Sequence, residues 1–138
     1  MKLSQGGYNC SQILIRIALE AAGRKNSELV RAMAGLAYGC GTGKATCGTL
    51  TAACCLLALF AEDSGGEETV SHRLAMMQDE LCAWFHDHVG QRHGGTACDT
   101  ITGEGGPSSS RQVCGALLAD TYAKTMAILM ENGFGPGA

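Results

Sequence analysis

Residues 38–59 read YGCGTGKATCGTLTAACCLLAL, and the break inside this stretch decides the fold. Gly39, Gly41 and Gly43 interrupt one helical pattern with a glycine-rich turn. Thr46 offers a cap for the next helix, and Cys47 stands at or just inside its start. An almost uncharged helix follows to about Ala61 and carries Cys54 and Cys55 two turns further along. A helix apolar nearly all round is the buried middle of a bundle. A thiol at the start of such a helix, approached by a flexible backbone, points to chemistry rather than to packing.

The flanking segments read as further helices. Towards the N-terminus, Ile13 and Ile17, with Cys10 and Leu14, form an apolar stripe over Asn9–Ala22, and Gly23 is the stop. Ser27 caps a second helix running towards Tyr38 with Leu29, Met33 and Leu36 inward. Beyond a break at Asp63–Gly66, a helix is predicted from Glu67 to His88, with Val70, Leu74, Met77, Leu81 and Trp84 facing the core. A loop at Gly90–Gly95 precedes a short helix from Thr96 to Gly103. A loop over Gly105–Ser110 precedes a last helix from about Ser109 to Met130, with Val113, Leu117 and Met126 or Leu129 inward, and the tail from Gly133 frays. No stretch alternates as strands do, and no repeat or linker is evident. The prediction is an all-α, single-domain bundle over 1–138, of about five helices plus a short one, built on the apolar central helix.

Composition narrows the function. The chain has 138 residues, enough for one domain with one core, and is 46% hydrophobic but only 5% aromatic. Leu, Ala, Met and Cys must therefore fill the interior. A formal net charge of −3 without a basic stripe argues against nucleic acid. The longest apolar run, Leu50–Ala61, is short for a membrane span, and MKLSQGGYNC lacks the apolar segment of a signal peptide, so a cytoplasmic location is expected. Eight cysteines are many for that reducing compartment, where they are more often catalytic, redox-active or metal-binding than structural disulfides.

Four of the eight share a local pattern. Cys10 follows Gly6-Gly7-Tyr8-Asn9, Cys47 follows the glycine turn, Cys98 follows Gly94-Gly95-Thr96-Ala97, and Cys114 comes a turn after Ser108-Ser109-Ser110. Each falls near a helix start, where free N–H groups and the helix dipole favour the thiolate, which is the nucleophile and the metal ligand. The other cysteines read more blandly. Cys54 and Cys55 are mid-helix packing residues, although Cys54 shares a face with Cys47. Cys82 is expected buried on the helix of Trp84, and Cys40 more exposed. Cys82 and His86 have ligand spacing, yet His86, His88 and His93 fit solvated helix ends better, and paired Cys or His motifs of structural zinc sites are absent. The Gly39–Lys44 run lacks Walker spacing.

At these residues the chain resembles the redox-active proteins named for their C-GCAxxG-C-C cysteine pattern. Gly7-Tyr-Asn-Cys10-Ser-Gln12 is similar to the family's opening, Tyr38–Gly43 to its aromatic and triple-glycine turn, and Cys47-Gly48 to the start of its Cys-Gly-Ala-x-x-Gly. Gly94-Gly-Thr-Ala-Cys98, with Ile101 and Gly103, is similar to its third block, and Cys114 fits its last cysteine. The chain departs from the pattern at Thr49 (Ala in the family), Ala52 (Gly), Cys40 (Gly) and Asp99-Thr100 (Arg-Glu). The resemblance implies a helical fold and redox activity, and a related domain in split-Soret cytochromes implies homodimers, without the haem motif.

Two functions follow as expectations. In the first, Cys47 is the central thiolate of a thiol-disulfide or electron-transfer protein serving an unknown redox partner, with Cys10, Cys98 or Cys114 resolving. In the second, the same four cysteines hold zinc or an iron–sulfur cluster. Neither reading calls for nucleic acid or a membrane.

Overall fold

Asn9 ends the extended entry to the first helix, and its side chain and that of Gln12 form a reciprocal capping box, the Asn9 N–H donating to Gln12 Oε1 at 3.1 Å. In this computed structural model, which describes residues 7–62, 65–66, 68–103 and 111–134, helix α1 then runs Cys10–Ala21 and α2 Ser27–Met33. Asn26, rather than Ser27, caps α2 by accepting from the Leu29 N–H at 3.1 Å. Ser11, fully buried, donates to the Met33 carbonyl at 2.7 Å, and Gln12 to that of Val30 at 3.1 Å, so α1 and α2 are pinned by side chain-to-backbone bonds. A 3₁₀ turn, Ala34–Leu36, leads into the glycine-rich segment.

Helix α3, Gly48–Phe60, is the axis. It packs against α1, against α4 (Leu74–Phe85) and against the last helix, α6 (Arg111–Glu131). Its Leu56, Leu57, Ala52 and Ala53 are fully buried among Leu14, Ile15, Met77, Leu81, Phe85, Ile128 and Leu129. The alanines let neighbouring helices come close, which is how a core with few aromatics reaches dense packing. The short helix α5, Cys98–Thr102, sits beside the glycine-rich segment. The architecture is the all-α bundle that the periodicity predicted.

Four features differ from expectation. Helix α4 begins at Leu74, not Glu67, because Val70 pairs with Glu62 in an isolated antiparallel bridge and stays 44% exposed. It continues through a π-helical turn, His86–Gly90, and Gln91–His93 into the expected loop, which shrinks to Gly94-Gly95. Val113, expected inward, is 40% exposed, whereas Leu117 and Leu129 are buried as predicted. Phe134 donates its N–H to Leu129 O at 2.8 Å and packs on the core, so order extends past the predicted fraying point. The loop predicted at Gly105–Ser110 lies outside the described residues. Among these, Gln112–Glu131 alone has the length and apolarity to cross a membrane, and 33% of that span is buried within the bundle.

Candidate functional site

The glycine-rich segment builds the site by reversing the chain's hand. Tyr38 (φ 54°), Gly39 (φ 56°) and Cys40 (φ 56°) follow one another in the left-handed region, held by the Gly41 N–H to Ala37 O bond at 2.9 Å and the Gly43 N–H to Tyr38 O bond at 2.8 Å. Two of the three are not glycine, a strained arrangement that persists only where its surroundings enforce it. The enforcing contacts come from Ala45 and from α5. A Cβ on Gly39 would stand 2.6 Å from Ala45 O and 3.2 Å from the Cys98 Cβ, and one on Gly43 would meet the Asp99 carboxylate. The Tyr38 hydroxyl lies in hydrogen-bonding reach of Asp99, which holds the phenol protonated above its usual pKa.

A short ladder then aligns two distant segments. Thr46 and Ala97 form an antiparallel bridge, the Cys47 N–H donates to Thr96 O at 2.8 Å, the Cys98 N–H to Ala45 O at 3.1 Å, and the Asp99 N–H to Gly43 O at 2.8 Å. This ladder sets Cys47 and Cys98 side by side. Cys47 occupies the N-cap position of α3 in place of the expected Thr46, and Gly48 packs so closely under Leu36 O that a Cβ there would stand 2.6 Å away. Cys10 opens α1 and Cys114 lies in the first turn of α6, so the ends of four helices meet here.

The four cysteines singled out by the sequence pattern form one electrostatic cluster. Cys98 feels Cys47, Cys10 and Cys114; Cys114 feels Cys10 and Cys47; and Cys47 feels Cys10. Every member is thus within reach of the other three. Cys47 and Cys98 are buried, and Cys10 and Cys114 are half-buried. All eight cysteines of the chain are free thiols.

The electrostatics overturn one expectation. Helix starts were expected to depress these pKa values, but burial pushes Cys98 and Cys114 up to about 11, and the neighbouring cysteines add to the rise. Burial likewise raises Cys47. The amides of Thr49 and Leu50 and the Thr49 hydroxyl pull the other way, although none makes a well-formed capping bond to the sulfur. At Cys47, Cys98 and Cys114 desolvation outweighs the dipole, which favours the protonated thiol at neutral pH.

Among the described residues, no three His, Cys, Asp or Glu side chains converge closely enough to hold a metal ion. The four sulfurs as placed do not fit a zinc or iron–sulfur cage. His86 is exposed, while His88 stacks on Trp84 with ring centroids 4.8 Å apart and contacts Asp120 at 3.3 Å. Cys82, expected buried, is exposed, because Leu81 and Phe85 take the inward face of α4. Tyr38, Asp99 and the buried hydroxyl of Thr49 also belong to the site. Asp99 and Thr49 stand at departures from the family pattern, and that was the only signal in the sequence that could have marked them.

A family model matches residues 8–128, and its description is "Putative redox-active protein (C_GCAxxG_C_C)". No curated protein and no solved structure matches the chain.

Proposed function

The chain belongs to the C_GCAxxG_C_C family of redox-active proteins, and on that premise we propose that its four-cysteine cluster is a thiol-disulfide exchange centre with Cys47 in the disulfide it forms. One observation carries this reading: four thiols from four separate segments lie within electrostatic reach of one another, with none spent on a structural disulfide. A partner's disulfide enters through a half-buried thiol, Cys10 or Cys114, whose thiolate attacks one partner sulfur and expels the other as a thiol. Cys47, deprotonating as it attacks, then displaces the second partner sulfur and closes an internal disulfide. The partner gains two electrons and two protons and leaves as a dithiol, and the cluster loses the same. Thr49 and the α3 amides favour the Cys47 thiolate as it forms.

The same reading puts the protein in a reducing cytoplasm, where free thiols are the resting state. Metal binding is the second reading, and it requires the sulfurs to draw closer than they stand. The test is a disulfide map of the anaerobically purified, metal-assayed protein before and after titration with a defined protein disulfide. The expected result is colourless, metal-free protein that gains one disulfide containing Cys47, with Cys47→Ser losing it. Stoichiometric zinc or iron, or unchanged oxidation in Cys47→Ser, overturns the proposal.

A further inference from the structure

Helices α3 and α4 pack against each other, and across their seam the Cys54 and Cys82 side chains lie close enough to interact. The sequence reading gave them no shared role. Cys54 stands one turn from Leu50 and Leu57 on the buried face of α3, and Cys82 stands next to Leu81 and one turn from Phe85 on α4. The buried neighbours on both helices fix the seam along which the two residues stand. Cys54 is half-buried and Cys82 is exposed. Cys55, the next residue on α3, diverges by about 100° and is no substitute for either.

We propose that Cys54 and Cys82 form a second dithiol centre, separate from the four-cysteine cluster, which a low-molecular-weight disulfide oxidises to an interhelical bond clamping α3 to α4. Exposure sets the order of events. The Cys82 thiolate attacks one sulfur of the small disulfide and expels the other as a thiol. Cys54, which faces Cys82 from the inner side, then loses its proton and attacks the Cys82 sulfur, expelling the second small thiol. One disulfide is consumed, two small thiols are released, and two protein thiols become one disulfide. Burial and the adjacent Cys82 sulfur push Cys54 up to about 12, which suits it to the second, intramolecular step and not to first attack on a free oxidant.

The two centres share α3 but not sulfur contact. Cys47 and Cys54 are seven residues apart on one face of the helix, a rise of about 10.5 Å at 1.5 Å per residue. Exchange requires a sulfur to touch a disulfide, so electrons do not pass between the centres directly.

The test uses the reduced full-length chain and its Cys47→Ser variant, each treated with glutathione disulfide and mapped by differential alkylation and mass spectrometry. The expected product in both is a peptide pair joining Cys54 to Cys82 within one chain, with alkylation lost at both positions together. Recovery of Cys82 as a glutathione adduct beside an unmodified Cys54 overturns the proposal. So does a link from either residue to a cluster cysteine, or a link present in the native chain and absent from a folded Cys47→Ser. If that variant does not fold, the map of the native chain decides alone. A missing Cys47 disulfide beside an intact Cys54–Cys82 link would count against the cluster reading only.

Discussion

The four-thiol cluster and the Cys54–Cys82 pair both hang on α3, yet they are built by different means. At the N-terminus of α3 the thiols are gathered by loops: a left-handed turn at Tyr38–Cys40, a two-segment ladder at Thr46 and Ala97, and glycines with no room for a side chain. Two turns along, the contact needs only two helices packed through their apolar faces. The first arrangement buries Cys47 and Cys98, while the second leaves Cys82 open to solvent. At Cys47, Cys98 and Cys114, burial raises the thiol pKa and outweighs any lowering by the helix start.

The sharpest way to break that comparison is a pH profile of alkylation. With Cys98 and Cys114 held up near 11, their rates should climb about tenfold per pH unit from 7 to 10, roughly a thousandfold, as the thiolate fraction grows. Saturation near pH 9 would instead mean that alkylation occurs through an opened state with ordinary thiols. The same shift bears on stability. Unfolded thiols lose protons near 8.5 while the folded ones hold theirs, so the unfolded state binds fewer protons as pH rises. The contribution is complete below about 8.5 and is lost as pH rises towards 11. Urea unfolding midpoints should fall across that window.

Next in size is Gly39→Ala. It adds a Cβ 2.6 Å from the Ala45 carbonyl at a φ of +56°, so the backbone must move as well as strain. A loss of about 3 kcal/mol is expected from strain and overpacking together, read by urea denaturation. Alkylation of Cys98 should quicken while the Cys54–Cys82 contact stays as it is. Equal disturbance of both sites would show that they are not structurally independent.

The sequence was informative where structure is local. Cys10 and Cys98 do open helices, the first helix starts within one residue of Asn9 as expected, and the uncharged run after Gly48 is the buried axis. It was silent where distant segments meet. Nothing in the periodicity pairs Thr46 with Ala97 or Tyr38 with Asp99, since each contact depends on a turn whose hand the chain takes only once packed. The exposure of Cys82 was missed because one step along a helix, about 100°, separates an inward Leu81 from an outward neighbour. The sign of the thiol shifts was missed for a different reason: a dipole can be read from a helix start, but desolvation depends on what covers it.

Cys40→Gly sharpens the comparison from the opposite side. Cys40 holds φ 56° with its side chain exposed, so the left-handed penalty has no evident compensation. Glycine should relieve it and stabilise the protein by about 1 kcal/mol. A lower urea midpoint in the variant would mean that the Cys40 side chain supports the turn.

The smallest effect isolates the one side chain that opposes burial at Cys47. Thr49 is 1% exposed, and its hydroxyl and amide both favour the Cys47 thiolate. Thr49→Ala removes the hydroxyl and keeps the amide and the helix start. Alkylation of Cys47 should slow two- to threefold, a change of under about 1 kcal/mol, with its pH profile displaced upward. Cys98 supplies the internal control, because Thr49 does not contribute to its shift. A profile that moved equally at both cysteines would mean that the substitution had altered the packing of the whole cluster, and the hydroxyl would lose its separate role. Movement at Cys47 alone would show that a local donor still tunes a thiol whose pKa is dominated by burial.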